Sequence, residues 1–549
     1  MSRRRLVVAA VLVMAFMAAM LPSSARPAGP AVPSIDNLVY KPDPEYATIP
    51  ATPDPEAVPK PNPGGNWNAY DLNAFETIWF PTRQAGDADA KAAPGGAIAH
   101  GVCAPPACEN HSLEFVKFWT KAMGSIVEPF GGTARAYKFE NVGGEVPPYV
   151  FATPSGDAFN VQATIPGAVH PEQMVIVSGH YDQTQSGPAS AWDSAEGHAT
   201  VFRIAKLMTD YWRKTGTRPA TTVKFTAWAG EESGSNGSAA YIRDNIQPFP
   251  NLRTLGYFNL DPCAGAYPAF YRGNPAYQVK MVMQLTNPDT ALFNKAGIKQ
   301  FNKQARDVLG DVMNHLDDKL TDVPTEPEIF ISDEEAEKNG TTSQESMVIT
   351  ALGGLRLFTS DYRNFEGIGV PIFNLFPDML GPHAGPPAGD PGWHTDGIAL
   401  LHTPNDNLRS LNALTGVDQS GLTASQGWYK GLEFCAHMHS WFMLQPNMGG
   451  AAKRTDGPVA YFEALHEAPA PLAPKKALTF DATGSHAWDG AKLVDPQKLR
   501  YVWDFDDGSR GEGGTVKHSF SKAGTYRVQL TVIAPGGRKD TMELLVKIG

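Results

Sequence analysis

The chain has 549 residues with 57 acidic against 46 basic side chains, a formal net charge of -11. That length exceeds what one hydrophobic core usually organises, so two folded units, or one large domain with an appendage, are expected. The acidic balance offers no basic field to release phosphate counterions, which argues against a nucleic-acid partner.

Arg3, Arg4 and Arg5 precede an apolar run from Leu6 to Leu21, then Pro22, Ser23, Ser24 and Ala25. This is the charged, apolar and small-residue order of a secretory signal peptide, expected over 1–25. The run is too short to span a bilayer comfortably, and the arginine pair leaves a twin-arginine export route open. A secreted product, extracellular or in the cell envelope and free of the membrane once the signal is removed, is the expectation. Prolines at 42, 44, 50, 53, 55, 59, 61 and 63 then favour an extended or loosely packed arm, assigned to 26–94.

An α/β domain is expected over 95–450. Leu113, Val116, Trp119, Ala122 and Met123 recur at helical spacing, followed by Gly124 and a short extended segment through Val127. Short apolar runs then alternate with helical patterns, which predicts a mixed, mostly parallel sheet sandwiched by helices. The strands are expected around Met174 to Val177, Val223 to Ala227, Leu255 to Leu260 and Val370 to Leu375. A helix carries Val201, Ile204, Ala205, Met208 and Tyr211, and a late helix runs from Gly427 to Leu444. An insertion at about 266–350 has helical character from Phe293 to Leu320 and an acidic patch at Asp333, Glu334, Glu335 and Glu337. It reads either as a substrate lid or as a solvated appendage.

After Pro474 the pattern changes to short alternating strands separated by turn residues, which predicts a small β-sandwich over 470–549. Trp503-Asp504-Phe505-Asp506-Asp507-Gly508-Ser509, with His518, Phe520, Gly524, Tyr526 and Val528 after it, resembles the immunoglobulin-like polycystic-kidney-disease (PKD) domain. Asp506 replaces that family's usual glycine. Such modules are commonly appended to secreted hydrolases. The functional reading is adhesion to an extracellular polymer or protein through exposed aromatics such as Trp488, and the alternative is a spacer or folding aid. Trp503 reads as core.

The four cysteines are Cys103, Cys108, Cys263 and Cys435. In an exported chain an even count can pair: the first two around a small loop, the others across the fold or else as buried thiols. Spacing does not decide between them.

His180-Tyr181-Asp182 falls at the carboxyl end of the first strand, the edge where open α/β sheets place their ligands. His180 can bind a metal there, while Asp182 can accept from the other ring nitrogen and fix the tautomer. Glu231-Glu232 ends the second strand. Two adjacent carboxylates repel unless a cation is near, and their side chains point to different sides, so one can ligate while the other acts as general base. Asp261 ends the third strand. Asp193 precedes a helix, where it could equally be an N-cap, and His402 precedes a proline turn. Each is ordinary alone, but two histidines and three carboxylates together match the nitrogen and oxygen donors of a two-metal site. His383 and His394, in a Gly- and Pro-rich loop, read as an ordinary surface loop.

The order His-Tyr-Asp, Asp-Ser-Ala-Glu-Gly, Glu-Glu-Ser-Gly-Ser, Asn-Leu-Asp and His-Thr-Pro-Asn-Asp resembles the co-catalytic zinc aminopeptidases, family twenty-eight of the metallopeptidases. The resemblance covers roughly Gly95 to Leu444. It implies two zinc ions, one held by His180 and Asp261, the other by Glu232 and His402, with Asp193 bridging and Glu231 as general base. Ser194 departs from the family's more usual Asn. Ser360-Asp361-Tyr362 matches its Ser-Asp-His segment with Tyr362 for His, and is expected to line the substrate pocket. Arg356 and Arg363 near it could bind a carboxylate or lie on the surface. The implied activity is an aminopeptidase acting on peptides. Relatives that are carboxypeptidases or glutaminyl cyclases, and a non-catalytic binding protein on the same fold, are the alternatives.

Overall fold

The computed structural model describes residues 33–38, 72, 76, 83, 111–142, 144–145, 152–153, 155–183, 190–263, 281–288, 291–317, 360–377, 406, 424–453, 455–465 and 470–549. The expected signal peptide, Cys103, Cys108, Arg356, His383, His394, His402 and the acidic patch lie outside them.

Helix α1 (Ser112–Val127) buries Phe115, Val116, Trp119, Ala122 and Met123 as their spacing implies. The helix does not stop at Gly124. Ile126 and Val127 continue the buried stripe, and that burial outweighs the roughly 1 kcal/mol a mid-helix glycine costs. The expected extended segment is therefore helical.

Strands β1 (Thr133–Asn141), β2 (Gly156–Ile165), β3 (His170–His180), β4 (Thr221–Trp228), β5 (Arg253–Asn259), β6 (Met281–Leu285) and β7 (Ile372–Pro377) form a seven-stranded sheet in the order β1-β2-β4-β3-β5-β7-β6. The four central strands β4, β3, β5 and β7 are mutually parallel, and β1, β2 and β6 join antiparallel at the flanks. The four anticipated strands are the parallel ones, whose near-continuous apolar runs stand out in sequence.

Both faces are covered. Val175, Val177, Val223 and Phe225 face one core shared with α1, α2 (Glu196–Thr215), α4 (Lys295–Asp317) and α6 (Ala424–Met443). Their neighbours Met174 and Ile176 face the other, with Tyr241 and Ile242 of α3 (Asn236–Asn245) and Phe365 of α5 (Tyr362–Gly367). No described helix is long and apolar enough to cross a membrane. Cys263 and Cys435 form a disulfide that joins the segment after β5 to α6.

The stretch assigned to a loose arm also contributes to this domain. Leu38, Leu72, Glu76 and Arg83 are all buried, and the backbone N–H of Ser34 donates to the Tyr211 hydroxyl.

The C-terminal unit is a β-sandwich. One sheet orders Arg510–Glu512, Arg500–Asp504, Gly524–Ile533 and Lys539–Ile548; another joins Glu463–Leu465, Leu478–Asp481 and Thr515–His518. Trp503, Phe480, Phe505 and Phe520 fill its core. Asp506 has φ of 61°, in the left-handed region that glycine occupies most freely and that Asp also tolerates, and its carboxylate accepts the Arg527 N–H. Trp488 is not an exposed aromatic. It is 5% exposed on the strand His486–Asp489, so it offers no adhesive face.

Candidate metal centre

Three parallel strand ends converge. β3 ends on His180, the turn after β4 carries Glu231 and Glu232, and Asp261 follows β5 by two residues. Gly179 and Gly197 permit this. A Cβ at Gly179 would stand 2.6 Å from the backbone of Gly197 and His198, and one at Gly197 would stand 2.2 Å from the Leu260 carbonyl oxygen. Helix α2 thus packs backbone to backbone against the strand ends.

His180 is buried. Its Nδ1 lies 3.0 Å from the backbone carbonyl oxygen of Asp182 and 3.5 Å from that residue's Oδ1. The main chain, rather than the carboxylate alone, therefore fixes the ring. Because a carbonyl only accepts, Nδ1 carries the proton. Nε2 faces Oδ1 of Asp261 at 3.0 Å and Oδ1 of Asp193 at 3.1 Å. Asp182 has a second task that its position in the sequence does not reveal: its two carboxylate oxygens accept the N–H groups of Glu231, at 3.2 Å, and Glu232, at 3.4 Å. One side chain thereby ties the β3 end to the β4 turn.

Asp193 is not a helix cap. Helix α2 begins at Glu196, the residue before it makes no side-chain cap bond, and Asp193 has extended backbone angles (φ -108°, ψ 92°). Its turn is held from outside. Asp406, fully buried, accepts the N–H of Trp192 at 2.7 Å and of Asp193 at 3.0 Å, one on each oxygen. Ser194, where Asn is more usual, donates its hydroxyl to the Leu260 carbonyl at 3.2 Å.

Donor atoms of His180, Asp193 and Glu232 lie within 4.8 Å of one another, as do those of His180, Glu231 and Asp261. Glu232 thus groups with Asp193 about His180, and Glu231 with Asp261. Glu232 is buried, whereas Glu231 and Asp261 are partly exposed. Burial, then the charges of Asp261 and Glu232, push the Glu231 carboxyl well above its ordinary range. Burial disfavours an imidazolium at His180, yet Asp261 and the bonds to Asp182 and Asp193 more than offset it and push the ring up. Both shifts report the same demand for positive charge among these carboxylates. With Nδ1 already committed, Nε2 faces two carboxylate oxygens, Asp193 Oδ1 and Asp261 Oδ1, as an acceptor itself. A proton or a cation must lie among them, and the nitrogen and oxygen donors fit zinc.

Several supporting residues carry no signal in the sequence. Arg83 Nε donates to the Tyr181 carbonyl at 2.9 Å, and its own carbonyl accepts the Gln183 N–H at 3.0 Å, bracketing the His-Tyr-Asp segment. Burial lowers the Arg83 guanidinium to about 10, opposed by Glu76, Asp406 and Asp182. His198 Nδ1 donates to the His180 carbonyl at 3.0 Å while its Nε2 lies 2.5 Å from Glu76. Ser360-Asp361-Tyr362, expected to line a substrate pocket, is buried. Ser360 accepts from Asn259, Asp361 Oδ1 from Ser238, and Tyr362 from Gln284, while burial raises the Asp361 carboxyl to about 7 within the electrostatic reach of His180, Asp261 and Asp182. Arg363 is exposed.

Residues 160–318 match the profile of Peptidase family M28, and residues 463–548 that of the PKD domain. The chain carries an M28 peptidase domain followed by a PKD domain. Carboxypeptidase Q of Xenopus laevis is 38% identical over 99 residues, 18% of this chain and 20% of that protein. A probable zinc metalloprotease of Pyricularia oryzae is 32% identical over 146 residues, 24% of this chain and 28% of its own length. The chain thus spans between a fifth and three tenths of the length of these relatives. A zinc aminopeptidase of Bacillus subtilis is similar at 16% identity with a TM-score of 0.31, over 53% of this chain and 51% of that one. The M28 match contains four of the five residues that the resemblance implies as ligands. The fifth, His402, lies outside both the match and the described residues.

Proposed function

We propose that the M28 domain is a two-zinc exopeptidase of an exported protein, releasing N-terminal residues from peptides. The observation that carries this reading is the pair of carboxylates, Asp193 and Asp261, at 3.1 and 3.0 Å from His180 Nε2, with Glu232 grouped with Asp193 and Glu231 with Asp261 around the same histidine. His180 and Asp261 would hold one zinc, Glu232 and His402 the other, with Asp193 shared between them. Zinc in such a site polarises the scissile carbonyl and lowers the pKa of water toward neutrality. Glu231 is the general base: its carboxylate takes the proton of the attacking water and returns it to the departing amine. Asp182 keeps Glu231 and Glu232 in register with His180 through its two backbone contacts, and its carbonyl keeps the His180 proton on Nδ1. The PKD domain would supply any contact with an extracellular polymer.

The similarity to carboxypeptidase Q sustains a second reading, removal of C-terminal residues by the same centre. A panel of free and N-blocked peptides, tested with chelator and after zinc restoration, separates the two. Chelator-sensitive cleavage confined to free N-termini supports the aminopeptidase. Cleavage of N-blocked peptides from the other end selects the carboxypeptidase, and zinc binding without any cleavage removes both.

A further inference from the structure

On the sheet face opposite α1, strands β2 and β4 present Gln162, Thr164, Thr222, Lys224 and Thr226. The partners across the sheet, Val161, Ala163, Val223, Phe225 and Ala227, lie in the apolar core. Strict alternation of this kind ordinarily marks a strand with one wet face. Here the polar face is dry: Gln162, Thr164, Thr222 and Lys224 are each 5% exposed or less. The C-terminal sandwich meets it at Gln162 and Lys224, beside Tyr241 of α3.

The contact centres on Glu463, in the first sandwich strand of the PKD match. Its Oε1 accepts from Lys224 Nζ at 2.6 Å and from Gln162 Nε2 at 3.3 Å, and its Oε2 accepts from the Tyr137 hydroxyl at 2.7 Å. Arg135 of β1 lies 3.8 Å from the same carboxylate and 2.5 Å from Asp481 of the next strand. Burial opposes ionisation of Glu463, but Lys224 and Arg135 hold its carboxyl far below the usual range. A second contact closes the sandwich's edge. The side chain of Asn251 donates to the Glu543 carbonyl at 3.0 Å and accepts the Leu545 N–H at 2.7 Å. Lys547 N–H reaches the Pro248 carbonyl at 2.9 Å, and Phe249 enters the sandwich's apolar cluster. The segment 248–251 therefore pairs with the edge strand Lys539–Ile548, which would otherwise lie open.

We propose that the PKD domain is a fixed buttress of the peptidase sheet. Glu463 is the counter-ion that lets Lys224 occupy a central strand, and the face around it is an intramolecular docking surface. This assigns the domain a partner, the polar face of β1, β2 and β4, and it stands independently of the reaction the M28 domain catalyses. A lysine whose partner is removed stays buried and uncompensated, which is costly, whereas replacing both partners by apolar groups is tolerated.

The test uses the full chain and three variants: Glu463→Ala, the isosteric Glu463→Gln, and Glu463→Ala combined with Lys224→Met. Melting is followed together with hydrogen exchange of peptides from β2, β4 and the sandwich. Docking predicts that Glu463→Ala lowers the midpoint by roughly 6 °C or more. Exchange should rise in β2 and β4 as well as in the sandwich, less so in Glu463→Gln, with most of the loss recovered in the double variant. If Glu463→Ala does not fold, the Gln variant and the recovery carry the same test. An unchanged midpoint, or faster exchange confined to the sandwich, overturns the proposal.

Discussion

Asp406→Ala is the substitution that most directly probes how the site is held. The wild-type carboxylate is fully buried and accepts the backbone N–H groups of Trp192 and Asp193, at 2.7 and 3.0 Å. Alanine leaves both donors in a dry environment, and a hydrogen bond to an ionised acceptor contributes about 1.5–3 kcal/mol. Two such losses predict a destabilisation of about 3–6 kcal/mol, reduced to roughly half in Asp406→Asn, where one carbonyl oxygen still accepts. The second consequence is local. Asp193 stays within 3.1 Å of His180 because its own N–H is pinned, so the alanine variant should lose zinc affinity more than thermal stability alone explains. Denaturant midpoints and zinc content after dialysis against graded chelator are the measurements. A variant that keeps wild-type zinc affinity at a temperature well below its midpoint would show that Asp193 is positioned by something else.

Other expectations follow from the same geometry. Glu231→Gln keeps the size and the backbone N–H given to Asp182 but removes the base, so kcat should fall by about 10²–10⁴ with zinc content unchanged; concurrent zinc loss would move Glu231 from base to ligand. Reducing the disulfide between Cys263 and Cys435, 172 residues apart, should cost about 2–5 kcal/mol. It should loosen the Asp261 segment only in part, because the Cys263 N–H still donates to buried Glu196; an unchanged midpoint in the Cys435→Ser variant would count against a structural role. Glu463 ionises far lower folded than unfolded, so its contribution is present above the ordinary carboxylate value of about 4.3 and is lost as pH falls below it. Glu463→Gln should flatten that part of the acid limb in melting curves taken from pH 6 to pH 2, and parallel limbs would rule the linkage out.

The sequence carried the parallel core and the strand-end acids because both are local signals. Apolar runs of the right length mark buried strands, and a functional residue directly after such a run lies at the ligand-binding edge. The antiparallel flanks were harder to read. β2 mixes polar and apolar residues because its polar face meets another domain, and β1 has an exposed edge. Asp193 was ambiguous for the same reason that Asp is common before helices; its extended backbone and the contact with Asp406, 213 residues away, distinguish a displaced turn from a cap. Glu76 and Arg83 left no trace, since an isolated charge near a proline-rich stretch has no periodicity and its burial depends on a partner far along the chain. Trp488 misled because a tryptophan on a short strand at a domain seam has the same local context as one on an open face.

The two charge clusters on the strand β4 explain why its sequence tolerates a lysine so near a site starved of positive charge. Lys224 precedes Trp228 by four residues, about 13 Å of extended strand, and the Glu231-Glu232 turn is farther still. Its ammonium is also neutralised by Glu463 at 2.6 Å. At that separation, and paired with a carboxylate, it offers the strand-end acids little field. Arg83 lies in the electrostatic neighbourhood of Asp182 and Asp406, but its Nε donates to the main chain of Tyr181 and not to Asp193 or Asp261, which face His180 Nε2. The polypeptide thus pairs Lys224 with Glu463 and leaves an excess of carboxylates at the strand ends, where the proposed zinc would supply the counter-charge.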